Sequence, residues 1–178
     1  RTRLQVFAAR GLTPFVGRQA ELAALHAAME QAEAGHGQVV AVIGEPGVGK
    51  TRLFYEFVRS HRMQSWLLLE SHSVSYGNAV PYLPVRGLLK AYFQIEGQHD
   101  GRQVREQVIG MLRILGESLT LRLPAFLTLL DVPIEDCAWR ALDPSQRRQQ
   151  ILDAFRHLLL CESQVQPLLL VFEDLHWI

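Results

Sequence analysis

The chain has 178 residues, 48% of them hydrophobic, and its 18 basic and 18 acidic residues give a formal net charge of zero. That length suits one globular core rather than two large ones, and the apolar content excludes a disordered chain. The charge balance speaks against a nucleic-acid binder, which would carry a basic excess or stripe.

Residues 1–14 read as a linker arm, broken by Gly11 and the Thr13-Pro14 pair. The arm is basic but lacks the apolar stretch and small-residue site of a secretory leader. A single domain is expected over residues 15–178. Residues 18–34 place Leu22, Leu25, Met29 and Ala32 at helical spacing, with Gly35 and Gly37 as a stop. The β-branched run at 38–43 (QVVAVI) predicts a strand buried on both faces of a parallel sheet. After the glycine-rich segment 44–49, helical spacing resumes over 50–60 through Leu53, Phe54, Phe57 and Val58.

Residues 66–70 (WLLLE) predict a second strand, and 71–84, with Gly77, Pro81 and Pro84, a polar loop in which Tyr76 and Tyr82 read as packing residues. Helices are expected over 85–95 and 104–115, and short ones over 118–136, where Pro124 and Pro133 interrupt. Asp143 and Pro144 are a helix cap and first helical residue. That helix should reach about residue 160, burying Ile151, Leu152, Phe155, Leu158 and Leu159. The densest basic group, Arg140, Arg147 and Arg148, reads as a solvated helix face. After Pro167, residues 168–172 (LLLVF) predict a third strand, closed by Glu173 and Asp174. Strands alternating with helices point to an α/β domain with a parallel sheet.

Cys137 and Cys161 have no CxxC or zinc-like spacing and read as reduced packing residues. No apolar run reaches the length of a membrane span, so a cytoplasmic location is the expectation.

Gly44-Glu45-Pro46-Gly47-Val48-Gly49-Lys50-Thr51 matches G-x-x-x-x-G-K-[ST] at every specified position. Each residue type has a physical task. The glycines let successive backbone N–H groups point inward at phosphate oxygens. Lys50 brings an ammonium to the β- and γ-phosphates, and the Thr51 hydroxyl can hold magnesium. The helix that follows directs its N-terminal dipole at the same anion, and Arg52 in its first turn is a further nucleotide-binding candidate. The ligands expected are ATP or ADP with Mg2+.

Such a loop needs an acidic partner at the end of a neighbouring strand. Glu173, the first acidic residue after the apolar run, should address the metal through bound water, and Asp174 should polarise an attacking water as a general base. The order can be reversed, because adjacent strand residues point to opposite faces. Glu in place of the commoner Asp lengthens the reach by one methylene. His176 reads as a structural residue at a strand end.

Phe15-Val16-Gly17-Arg18 with Glu21-Leu22, then GEPGVGKTRL, then LLLVFEDLHW, resemble the signal-transduction ATPases with numerous domains, the STAND class. The segments AARGLTPFVGR, YGNAVPYLPVRGLL and DVPIEDCAWRALDPSQRRQQILDAF are similar to the ATPase module of bacterial regulators that also carry an adenylate/guanylate cyclase domain. The resemblance covers essentially the whole chain. It implies a P-loop NTPase fold, a parallel sheet flanked by helices, of which this chain holds the N-terminal part. Val16 and Arg18 become adenine-pocket candidates. The implied activity is an ATP/ADP switch inside a multidomain signalling protein, with slow hydrolysis in the full-length chain. Cyclase-like and helical-repeat domains of the same chain are the implied partners, with neither membrane nor nucleic acid bound by this segment. The chain stops just past the acidic strand, so the later strands, the sensor residue and the helical lid are expected elsewhere, and this piece alone should turn over ATP poorly.

Two rival readings use the same loop. A small-molecule kinase would need a clamp on its substrate, for which Arg86 and Lys90 are the candidates. A scaffold would hold ADP structurally and never turn it over.

Overall fold

The computed structural model of the chain describes residues 13–59, 65–72, 81–95, 97 and 100–173. The chain divides into two compact units, Arg1–Trp66 and Leu67–Ile178.

The first unit pairs helix α1 (Gln19–Glu33) with α2 (Lys50–Val58). Leu25 and Met29 of α1, one helical turn apart, are buried, as are Leu53 and Phe57 of α2. The His26 ring meets Phe57 at 5.2 Å between centroids. Trp66 Nε1 donates to Glu33 Oε1 at 3.0 Å, tying the end of the unit back to α1.

The strand expected over 38–43 is not formed. No β-ladder includes these residues, and Val39 and Ile43 are 99% and 92% exposed. Strand preference in β-branched residues is a preference for packing on neighbouring strands, and without a ladder partner it has nothing to act on. The glycine-rich loop is therefore preceded by backbone that belongs to no strand.

In the second unit, β1 (Leu67–His72) and β2 (Leu168–Glu173) pair in parallel, in register from Leu67 opposite Leu168 to His72 opposite Glu173. Parallel neighbours need a long crossover. Here it contains α3 (Leu83–Tyr92), α4 (Gly101–Leu115), α5 (Glu117–Thr120), α6 (Leu123–Leu129), α7 (Cys137–Ala141) and α8 (Pro144–Val165). The parallel pairing and the helical crossover agree with a partial α/β fold. Val104, Val108 and Leu112 form one buried stripe along α4. They join Leu88 and Leu89 of α3, Phe93 at its C-cap, Phe126 and Leu127 of α6, and Ile151, Ala154 and Leu158 of α8 in one core. Helix α3 comes so close to β1 that a Cβ at Gly87 would lie 3.1 Å from the buried Ser71 hydroxyl.

Asp143 closes a full capping box with Gln146, and Pro144 opens α8 as expected. That helix continues to Val165, past the expected end near residue 160, and its buried face is shifted. Leu152 is 51% exposed, whereas Ala154 and Glu162 are buried. Glu162 lies on the apolar stripe because both its oxygens are satisfied: the Tyr92 hydroxyl donates to Oε2 at 2.7 Å and Gln166 Nε2 to Oε1 at 2.6 Å. The basic group is not merely solvated. Arg147 donates to the carbonyls of Leu142 and Arg140, and Arg140 to that of Ile134, so the two arginines fasten the turns around α7. Cys137 is exposed at the start of α7 and so is not a packing residue; Cys161 is half-buried, and both are free thiols.

Burial first, and then the Glu162 hydrogen bond, push the Tyr92 hydroxyl well above the ordinary phenol range. The proton is bound more tightly folded than unfolded, so this contribution is fully present below the ordinary tyrosine pKa of about 10 and is lost as pH rises beyond it. Thermal unfolding at pH 8 to 11.5 should therefore show an alkaline loss of stability that Tyr92→Phe reduces. An identical alkaline slope in the variant would assign the loss to other groups.

Candidate functional site

The glycine-rich loop runs from Gly44 to Gly49 on the surface of the first unit and leads directly into α2. Gly47 and Gly49 have φ of 86° and 90°, a left-handed conformation that side chains oppose, and Gly49 is the N-cap of α2. A Cβ on Gly44 would meet Val48 Cγ2 at 3.1 Å. Helix geometry leaves the first-turn N–H groups of α2 without intrahelical acceptors, at the positive end of its dipole. Lys50 folds its ammonium back on the loop, with Nζ donating to Gly44 O at 2.8 Å and Glu45 O at 3.0 Å. Thr51 is exposed beside it.

Residues 13–18 lie along one side of this loop. Arg18 ion-pairs with Glu21 at 2.7 Å and donates to Val48 O at 3.0 Å. The hydrogen bond from Arg18 holds the Glu21 carboxyl below its ordinary range. Between this segment and the loop opens a cleft of about 180 Å³, lined by Phe15, Val16 and Arg18 on one side and Val48, Gly49 and Arg52 on the other. Val16 is 74% exposed at its rim. The fold thus gathers Val16, Arg18, Val48, Gly49 and Arg52 around one opening.

The loop suits a polyphosphate. Its exposed backbone can curl at the glycines, a helix N-terminus follows it, and one ammonium is anchored to its carbonyls. Residues 14–178 match the family model of the AAA ATPase domain. The chain belongs to this family. No curated protein and no solved structure matches it.

This AAA ATPase domain is accordingly a nucleotide-binding, ATPase-type module of the P-loop NTPase kind, and AAA ATPase domains generally bind ATP or ADP with Mg2+. In its second unit Glu173 is the last residue of β2 and is half-buried. Asp174, His176 and Trp177, like Tyr76, lie outside the described residues. Among the described residues no helix is long and apolar enough to cross a membrane. Of the two residues considered as a kinase clamp, Arg86 is held by an ion pair with Asp131, and Lys90 is exposed.

The contacts of Phe15 and Glu56 with Arg52, and the Tyr92–Glu162 pair, are not among the expectations from sequence. A glutamate one turn after Leu158 on an apolar stripe was the available signal for the last. For Glu56 the signal was its place four residues after Arg52 on a helix, and Phe15 opens the Phe15-Val16-Gly17-Arg18 motif, but its contact with Arg52 is set by the fold.

Proposed function

We propose that this AAA ATPase domain is an ATP/ADP-Mg switch module of a multidomain signalling protein, in which slow hydrolysis resets the nucleotide state. The observation that carries the reading is the glycine loop capping α2, with Lys50 pinned to the carbonyls of Gly44 and Glu45. In this reading the backbone from Gly44 to Arg52 cradles the phosphates, including the N–H groups of Glu45, Gly47, Val48 and Gly49, while Pro46, which has no N–H, shapes the turn. Lys50 neutralises charge developing on the transferred phosphoryl group. Thr51 and Glu173 are each magnesium-ligand candidates on their own units, and Asp174 would orient the attacking water. Val16 and Arg18 face the adenine. Magnesium would supply electrostatic stabilisation of the phosphates. Cyclase-like and helical-repeat domains of the same protein are the proposed partners, and the cytoplasm the proposed location.

The kinase reading is weakened by Arg86, whose guanidinium is engaged by Asp131 and only 18% exposed. The roles of the acidic pair are tested by two substitutions in the intact protein. Glu173→Gln should raise the magnesium concentration needed for binding, while Asp174→Asn should spare binding and slow phosphate release by about 10²-fold or more. The reverse pattern would exchange the two roles. Nucleotide released from the purified protein, assayed with its phosphate turnover, separates the switch from the kinase: turnover dependent on an added metabolite would contradict the switch.

A further inference from the structure

Arg52 follows the Lys-Thr pair of the loop, where its cation could reach a phosphate, yet its side chain is turned elsewhere. Nε donates to Glu56 Oε1 at 2.7 Å, and Nη2 lies 2.6 Å from the same oxygen. Nη2 also donates to the carbonyl of Thr13 at 3.1 Å, 39 positions back in the chain. The guanidinium stands 5.8 Å from the Phe15 ring centroid and 5.9 Å from that of Tyr55. The side chain is only 22% exposed, so these contacts are partly shielded from water. Reaching a phosphate would require breaking the Glu56 pair and the Thr13 bond together.

We infer that Arg52 is a positioning residue that straps the segment 13–16 onto α2 and so builds the base-side wall of the cleft. Its side chain does not contact phosphate. The cleft of about 180 Å³ lies below the range of roughly 300–1,000 Å³ that whole ligands occupy, so it takes one ring-sized part of a ligand. Its wall offers Phe15, Pro14 and Val16, apolar surfaces suited to the flat faces of a heterocyclic base. Without the strap these residues are joined to α2 through fewer contacts, and a base would have to order them on binding. Lysine cannot replace Arg52 here, since it lacks the planar fork that stacks and donates at once. This inference rests on the proposed nucleotide site and adds that the wall beside the loop recognises the base through Arg52.

The test is calorimetric titration of the intact protein with Mg-ATP and with magnesium tripolyphosphate, which has the phosphates and no base. Arg52→Ala should lower the ATP-to-tripolyphosphate affinity ratio about tenfold, the size expected for one charge-assisted hydrogen bond and one cation–π contact. Glu56→Gln, which removes only the charge that anchors Arg52, should lower the same ratio about threefold. Equal losses for both ligands in a folded Arg52→Ala protein would overturn the strap and make Arg52 a phosphate ligand. Should Arg52→Ala not fold, the Glu56→Gln ratio decides, and an unchanged ratio overturns the strap. Wild-type protein that binds tripolyphosphate as tightly as ATP would leave the phosphate cradle intact and remove the base-side wall. Wild-type protein that binds neither would remove the nucleotide site itself, and the strap with it.

Discussion

Lys50→Ala is expected to weaken Mg-ATP binding by about 2–4 kcal/mol, roughly 30- to 1,000-fold. The ammonium sits 2.8 Å and 3.0 Å from two carbonyls of its own loop, which fixes a positive charge where the loop curls. Alanine removes that charge and the only side-chain cation within the loop motif, while the exposed carbonyls of Gly44 and Glu45 recover hydrogen bonds from water at little cost. The loss therefore falls on the ligand and leaves the fold intact. Lys50→Arg should recover part of the affinity, because the charge returns in a bulkier, planar form. Titration with a fluorescent ATP analogue, alongside thermal unfolding of each variant, measures both quantities. An unchanged affinity in Lys50→Ala would separate nucleotide binding from this loop.

Phe126→Ala should destabilise the second unit by about 3–5 kcal/mol. Phe126 is fully buried on α6, and its ring meets that of Phe93 at 5.9 Å and 76°, edge to face. Phe93, also fully buried, meets Tyr92 in the same manner at 5.1 Å. Truncation loses the transfer energy of the ring, the edge-to-face contact and the packing around the space left behind. Helix α6 packs on α4 and α8, so collapse around that space would require helices to move. Leu121→Ala is the matched control: this leucine is 83% exposed, and its removal should change stability by no more than about 0.5 kcal/mol. Denaturant unfolding followed by circular dichroism reads both variants. A Phe126→Ala cost close to that of Leu121→Ala would mean that the helices repack freely around α6.

What the sequence determined by itself was local. Asp143 and Pro144 declare the start of α8 because a cap and a fixed φ act within one turn. The Leu-rich runs at 67–69 and 168–170 declare strands, and these pair with one another in parallel, although Leu69 alone of the six leucines is buried. The loop from Gly44 to Thr51 is legible because phosphate chemistry requires glycine, lysine and a hydroxyl at set spacing. The tertiary structure decided whatever depends on a distant neighbour. Residues 38–43 have strand composition and no ladder, since pairing is a property of two segments. Glu162 occupies a buried stripe because Tyr92, 70 positions earlier, donates to it. Gly87 is compatible with the close packing of α3 on β1, which its lack of a Cβ allows. Arg52 follows a phosphate-binding motif, yet it is directed to Thr13 and Phe15, because a long flexible cation takes the partners that folding brings within reach, and those lie nearly 40 residues away in the chain.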